Sequence, residues 1–423
     1  MRTRRAVAVA AAVSTVLLAY YAISWAQVTP VRERGTDFSA SYVAALLVRG
    51  GDGAALYDQQ AEHSRHLTLL PAGTVIDLPF ITPPTTALLA LPLTVLDPGT
   101  AFRVSSVIEL ALLVLALWVA IRAGPWPSRF GRAPRAATLL MAIAAGGTYA
   151  FLLLGQIDGI AALGLAAAYM AWREDRPGAA GFWLALALAA TKPHLAIGLG
   201  VWLVARRDWR ALAGATAGCA TVAAVSLALV GPAGLAGFVS ALGFAVGNTP
   251  GASTLGIPGL VASWLGGGTV PAAIGVTGSL IALGGCGLLG ARSRGRPGAL
   301  EASLAGAAAL SLVASPHLLP HDLVILAPAF AWCAARAAFA ESAPWPGLAT
   351  LRLIAAWAAL GVLTLVDTGN AAPAPPGRLV PVGLLGIGIA ALMIPASRPR
   401  VENPARVALA QSGSGSGAGG STA

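Results

Sequence analysis

An aspartate stands at the start of a short amphipathic stretch, TDFSASYVAALL, residues 36–47. Apolar side chains recur there with the spacing of one helix face, as at Phe38, Tyr42 and Ala45. The residues alone leave two roles open for Asp37. It can cap the helix, because aspartate is favoured at this position by about 1 kcal/mol. It can also act as a base towards a hydroxyl group held at a membrane surface.

The chain's only lysine, Lys192, lies between two short apolar segments in TKPHLAIG, residues 191–198. Pro193 interrupts the helix there, and membrane proteins build polar sites at interrupted helices. Lys192 and the helix N-terminus that follows would suit a phosphate group. The alternative is a lysine that extends to the membrane interface. His194 belongs to the same break.

A second proline-rich break occurs in SPHLLPHDLVIL, residues 315–326, where His317 is followed by His321 and Asp322. Two histidines four residues apart, with Pro320 between them, make a poor helical metal pair. We therefore expect phosphate or hydroxyl contacts here and no metal. Asp322 can alternatively cap its helix.

Two further polar positions lie close to apolar runs. In GQIDG, residues 155–159, Gln156 and Asp158 either cap the next segment or bind a ligand, and the residues leave both roles open. Glu109 lies inside an apolar run, so its carboxyl group should face the interior of the protein. A neutral structural glutamate is the favoured reading there, with a proton relay as the alternative.

The elements that position these residues are membrane helices. The 423-residue chain is 57% hydrophobic and only 10% charged, with a mean hydropathy of +0.75, whereas soluble domains carry about 25% charged residues. The net charge of +10 does not indicate nucleic acid binding, because the arginines stand between apolar runs, as topology signals do. The three cysteines have neither disulfide nor metal spacing.

A membrane helix needs roughly 17 to 25 apolar residues. The chain contains about twelve candidate segments, of which 178–191 and 193–205 are short. The first is read as a retained span because aromatic residues, rather than a cleavage site, stand at its end. We predict an all-α integral membrane protein with these spans: 6–26, 101–121, 136–154, 156–172, 178–191, 193–205, 211–231, 271–290, 298–314, 321–338, 348–366 and 379–396.

Most of the 27 Lys and Arg residues fall on one side of this topology, the side of both termini. The positive-inside rule makes that side cytoplasmic. All five histidines then lie on the outer side, together with Asp37, Lys192 and Asp322. We expect one polytopic domain over 1–396, made of an outer loop with interfacial helices (27–100), a catalytic helix core (101–330) and scaffold helices (331–396), followed by a flexible cytoplasmic tail (397–423).

Taken in order, five pieces of the chain resemble glycosyltransferase family 87 of the GT-C superfamily. The pieces are TDFSASYVAA with GGDGAALYD, TPPTTALLALPL, GQIDG, the block from AAGFWLALALAATKPHLAIG to RRDWRAL, and SPHLLPHDLVIL. The resemblance spans roughly residues 35–330 and rests on the order and spacing of the pieces. Asp158 departs from the pattern, because asparagine is common at that position in the family.

This resemblance implies a GT-C-like helical bundle that takes a sugar, mannose by expectation, from a polyprenyl-phosphate donor. The sugar would pass with inversion to a lipid-linked or glycan acceptor on the extracytoplasmic face of a bacterial inner membrane. Asp37 is then the expected general base, and neither a cofactor nor a metal is implied. The expected contacts to donor phosphate or substrate are Lys192, His194, His317, His321, Asp322, Gln156, Asp158 and Tyr42.

A transporter or lipid flippase with twelve spans is the alternative function. The span count and Glu109 favour it. Transporters commonly consist of two pseudo-symmetric halves, and the sequence shows none, because the long loop and the Lys192 break each occur once.

Overall fold

A computed structural model describes residues 2–29, 32, 35–69, 78–248, 253–341, 347–369 and 378–394. These residues form α-helices joined by short 3₁₀ turns, with no β-strand among them, which confirms the all-α prediction. The helices are α1 (Arg2–Ala26), α2 (Asp37–Arg49), α3 (Gln59–Leu69), α4 (Pro84–Ala90), α5 (Pro98–Ala123), α6 (Arg132–Ile143), α7 (Gly146–Leu154), α8 (Asp158–Arg173), α9 (Pro177–Thr191), α10 (Ile197–Arg206), α11 (Trp209–Asn248), α12 (Ile257–Leu265), α13 (Thr269–Ser293), α14 (Leu300–Ala314), α15 (Ala327–Ala340), α16 (Leu348–Gly369) and α17 (Val380–Met393).

Within the described ranges, six helices are long and apolar enough to cross a membrane, and a seventh span results if the bent pair α6–α7 counts as one. The six include α1, α5, α11, α13 and α16, and the sixth is α15 with the 3₁₀ turn before it. The other apolar segments predicted from the sequence form shorter helices, α8, α9, α10, α14 and α17. Proline and polar breaks account for the difference, since they divide apolar runs into pieces below spanning length.

Large apolar side chains point outwards from several of these helices, which fits a lipid surrounding. On α13, Leu280 and Ile281 are 62% and 71% exposed, and on α5, Trp118 is 52% exposed. In contrast, α14 is almost entirely buried and lies in the centre of the packed bundle. Exposed apolar helices around a buried helix are expected where hydrocarbon replaces water.

Glycines allow the helices that carry the polar residues to approach one another closely. A Cβ added at Gly181 of α9 would lie 1.7 Å from the carbonyl oxygen of Ala211 on α11. A Cβ at Gly159 of α8 would lie 2.4 Å from the carbonyl oxygen of Glu109 on α5. Small residues at helix contacts are typical of membrane bundles. These contacts fix the N-terminus of α8 and the axis of α9, and therefore the breaks beside them.

The segment between α1 and α5 contains the helices α2, α3 and α4, as the prediction of helices in a long loop requires. α2 packs against α3, α4 and α5. The long helix α11 is kinked where Gly231 adopts a φ of 66° before Pro232. Beyond the kink α11 covers this segment, and the Phe238 ring lies 5.5 Å from the Tyr57 ring.

Candidate active site

Polar side chains from five separate parts of the chain meet at one end of the bundle. They come from the first turn of α2, the turn before α8, the first turn of α8, the break after α9 and the 3₁₀ turn Pro320–Leu326. Six of the nine residues expected to carry function lie here: Asp37, Gln156, Asp158, Lys192, His321 and Asp322.

Lys192 lies at the centre of this group. Pro193 ends α9 and starts a short 3₁₀ turn, so Lys192 leaves the helix with a non-helical backbone and its side chain enters the bundle. Its Nζ is 2.8 Å from Asp158 Oδ1 and 2.5 Å from Asp322 Oδ1. All three side chains are buried, and Lys192 is only 7% exposed. The ammonium therefore neutralises buried carboxylates, and a phosphate contact would require it to exchange one of these partners.

His321 links this buried charge to Asp37. Its Nδ1 lies 2.9 Å from Asp158 Oδ2. A carboxylate oxygen only accepts, so this contact is a hydrogen bond when Nδ1 carries a proton. The Lys192 ammonium lies 3.0 Å from the same nitrogen and only donates, so in that tautomer it makes no hydrogen bond to the ring. Nε2, on the other side of the ring, is buried without a hydrogen-bond partner among the described residues and lies 3.9 Å from Asp37 Oδ2. Asp158 thereby orients the ring so that Nε2 faces Asp37.

Asp37 is the first residue of α2, while Thr36 takes the N-cap position. Its side chain is 36% exposed, so the carboxylate opens to the exterior of the bundle. The Gln156 side chain donates a hydrogen bond to Oδ2. No partner for Oδ1 lies among the described residues. Gly155 makes this contact possible, because it ends α7 with a φ of 65° and packs directly against Phe38.

Both oxygens of the Asp322 carboxylate have a partner. Oδ2 accepts a hydrogen bond of 2.7 Å from the backbone N–H of Leu319. Oδ1 contacts Lys192. Asp322 therefore closes its own 3₁₀ turn and holds the lysine, and it is not the N-cap residue, a position that Leu319 takes.

The remaining three expected residues lie outside this group. The His194 and His317 rings are in contact with each other, with their centroids 6.1 Å apart, and His194 Nε2 is buried with no partner in the described chain. Tyr42 lies in an apolar cluster with Phe38, and its hydroxyl donates to the carbonyl oxygen of Leu96 at 2.7 Å. A substrate contact by Tyr42 would require it to give up this bond.

Asp158, His321 and Asp322 also offer a metal-compatible set, since one ligand atom from each lies within 4.8 Å of the others. Two carboxylates and an imidazole suit several divalent cations. However, the Lys192 ammonium lies within 3.0 Å of an atom from each of the three side chains. A cation here would have to displace the ammonium, so no step below is routed through a metal.

One functional position was missed by sequence reasoning. Thr85, in the first turn of α4, donates from its hydroxyl to the carbonyl oxygen of Ala190 at 2.7 Å. The bond ties α4 to the last turn of α9, two residues before Lys192. The repeated threonines in TPPTT gave no sign of this, because nothing local distinguishes a threonine that bonds a distant carbonyl from one that bonds its own helix.

A family model for glycosyltransferase family 87 matches residues 80–316, more than half of the chain. The chain belongs to glycosyltransferase family 87. It is therefore a glycosyltransferase, and its apolar helices make it a membrane enzyme, in agreement with the resemblance noted in the sequence. The matched range contains Gln156, Asp158 and Lys192. Neither the curated proteins nor the solved structures compared with the chain gave a match.

Proposed function

We propose that this family 87 enzyme transfers a hexose, by expectation mannose, from a polyprenyl-phosphate sugar to a lipid-linked or glycan acceptor, with Asp37 as the general base. One observation supports this most. Asp37 is a half-exposed carboxylate, held by Gln156, with one oxygen lacking a partner among the described residues, beside a fully buried set of charges.

The chemistry needs a single base. Asp37 accepts the proton of an acceptor hydroxyl, and that oxygen forms a bond to the anomeric carbon of the donor sugar. The bond from this carbon to the phosphate oxygen breaks, and polyprenyl phosphate leaves with the electron pair. Direct displacement from the face opposite to the phosphate inverts the anomeric centre. It requires neither an enzyme nucleophile nor a second catalytic carboxylate. Glycoside hydrolases, in contrast, use a pair of carboxylates.

Histidines supply the contacts for the departing phosphate. His321 Nε2 and His194 Nε2 are buried and unpartnered among the described residues, and His317 adjoins His194. With Nδ1 protonated towards Asp158, His321 donates from Nε2 only as an imidazolium, so the proposal requires this ring to be positively charged when the phosphate leaves. Donors held in place before the reaction stabilise developing negative charge most effectively. In this proposal Lys192 and Asp158 hold His321, and Asp322 holds Lys192. The sequence predicted a direct contact between Lys192 and the phosphate. In this proposal Lys192 does not touch the phosphate and acts on it only through its positive charge.

We place the reaction on the extracytoplasmic side of a bacterial cytoplasmic membrane, with both termini in the cytoplasm. The distribution of arginine between the apolar runs supports this orientation. In the same proposal, residues 101–330 form the catalytic helix core and residues 331–396 the scaffold. The tail, 397–423, lies outside the described residues.

The test is transfer from radiolabelled polyprenyl-phosphate mannose by the full chain in lipid nanodiscs. Asp37→Asn should reduce turnover by about 10²- to 10⁴-fold, the usual contribution of a general base, while the protein stays folded. Asp52→Asn is the matched control, because Asp52 is an exposed aspartate in the same loop. Full turnover by Asp37→Asn would refute the assignment of the base, and a product of retained configuration would refute direct displacement.

A further inference from the structure

A small pocket lies between the loop segment and the covering part of α11. It has a volume of about 210 Å³ and is lined by Tyr57, Glu62, Phe80 and Ser240, among others. This is smaller than the roughly 300–1,000 Å³ of pockets for drug-sized ligands. It therefore has room for one ring rather than for a lipid chain.

The walls of the pocket combine aromatic faces with one acidic side chain. The Tyr57 ring lies between the rings of Phe80 and Phe238, with 5.5 Å between centroids on both sides. Glu62 is buried, and its Oε2 accepts a hydrogen bond of 2.9 Å from the backbone N–H of Phe80. Its other oxygen has no partner among the described residues. Ser240, which is exposed, adds a hydroxyl at the rim.

These features select the chemical class of the ligand. A sugar ring presents an apolar C–H face that packs on aromatic rings, and hydroxyls that donate to a carboxylate. The buried carboxylate disfavours a phosphate, so the donor's head group does not suit this pocket. A neutral polyhydroxyl ring does.

The location identifies which sugar would bind. Phe80 packs in one apolar cluster with Ala44 and Leu47 of α2. These residues lie seven and ten positions after Asp37, which corresponds to about 10–15 Å along a helix. The Tyr57 hydroxyl donates to the carbonyl oxygen of Thr82 at 2.7 Å, just before α4, and Thr85 of α4 in turn bonds the last turn of α9. A ring in the pocket is too far from Asp37 to react, but it is close enough to belong to the same acceptor.

We propose that this pocket is a subsite for a saccharide ring of the acceptor that does not itself react, held by Glu62 against the aromatic side chains that line the pocket. The proposal deepens the proposed function and rests on it for the link to an acceptor. It assigns the chain to the extension of an existing glycan, rather than to the addition of a first sugar to a bare lipid.

Saturation-transfer NMR tests the pocket directly. The full chain is placed in phosphatidylcholine nanodiscs at pH 8, with methyl glycosides of mannose, glucose and galactose as probes. We expect transfer to the ring protons of at least one probe. Ser240→Trp should fill the pocket and weaken this binding at least about tenfold. Val239→Trp is the matched control, because Val239 is the exposed neighbour and does not line the pocket.

A second variant guards against a folding defect in the first. Glu62→Gln keeps the size of the side chain and an acceptor for Phe80, and should weaken the same probe several-fold. Absence of any signal from the unmodified chain, or unchanged binding by Ser240→Trp, would overturn the proposal. Asp37→Asn should keep the pocket signal. Loss of probe binding in Ser240→Trp alongside full transfer by Asp37→Asn would refute the base alone. Unchanged probe binding by Ser240→Trp, together with loss of transfer by Asp37→Asn, would refute the pocket alone.

Discussion

Removal of the Lys192 charge should lower the free energy of unfolding of the protein, rather than weaken the binding of a substrate. Lys192→Met replaces the ammonium by a neutral side chain of similar length. The Asp158 and Asp322 carboxylates, 2.8 and 2.5 Å from Nζ, are then left without their counter-ion. All three side chains are at most 7% exposed, so water cannot replace the lost partner.

The magnitude follows from the burial. Coulomb attraction at 3 Å is worth about 6 kcal/mol with an effective dielectric constant of 20, and each ion pays a desolvation cost of several kcal/mol. Removal of one partner from a buried pair costs about 3–5 kcal/mol, because the other charge stays buried and unpaired. We expect a loss of that size in the free energy of unfolding, measured by SDS titration in mixed micelles with tryptophan fluorescence.

A double-mutant cycle gives the control. Asp322→Asn removes one of the two carboxylates that Lys192→Met leaves without a counter-ion. The double variant should therefore lose about 1–3 kcal/mol less of the free energy of unfolding than the two single variants lose in total. If Lys192 binds the donor phosphate instead, Lys192→Met should raise the KM for the donor, leave the free energy of unfolding within about 0.5 kcal/mol, and show no coupling to Asp322. That result would refute the reasoning.

Three further predictions concern single side chains. Tyr42→Phe should keep transfer activity and lower the free energy of unfolding by about 1 kcal/mol, the worth of the bond to a backbone carbonyl; a large loss of activity at full stability would assign Tyr42 to the substrate. Burial raises the pKa of Glu62 from 4.5 to about 7, so the folded chain binds more protons than the unfolded one between these values and stability falls as pH rises through them. Glu62→Gln should therefore match the unmodified chain near pH 4.5 and exceed its unfolding free energy by up to about 3 kcal/mol above pH 7, and equal stability of the two at pH 8 would contradict this. Gly159→Ala should cost about 1–3 kcal/mol because its Cβ meets a backbone carbonyl, whereas Gly200→Ala, which meets nothing within 4 Å, should stabilise its helix by up to about 1 kcal/mol; equal melting temperatures for these two variants would count against the close packing of α8.

Much of the fold followed from local patterns. The length and spacing of apolar runs predicted helices, and each predicted run is helical, although the run 136–154 is divided between α6 and α7. The number of full spans did not follow, because a run of 14 or 15 apolar residues, such as that before Pro193, has the composition of a span without its length. Whether such a helix crosses the membrane depends on its neighbours, which the sequence does not show.

The candidate site divides in the same way. The sequence predicts Lys192, His321 and Asp322 as site residues because prolines place them at helix breaks. It does not predict which of them pair, since Lys192 and Asp322 are 130 residues apart and Asp158 and His321 are 163 apart. The role of Lys192 was therefore assigned from its charge alone, whereas its contacts depend on how closely glycines let α8 and α9 approach.

The Asp158–Lys192 contact has a consequence for the order in which the chain can enter the membrane. The two residues belong to consecutive helices, α8 and α9, so their charges can neutralise one another as soon as this hairpin is synthesised. Asp322 and His321 follow much later in the chain and add a second carboxylate and the imidazole to a pair that already exists. A hairpin that entered the bilayer with both charges would carry its own counter-ion, which lowers the cost of inserting an isolated charge. A variant that lacks either partner would present that cost during synthesis, before the rest of the bundle exists to offset it.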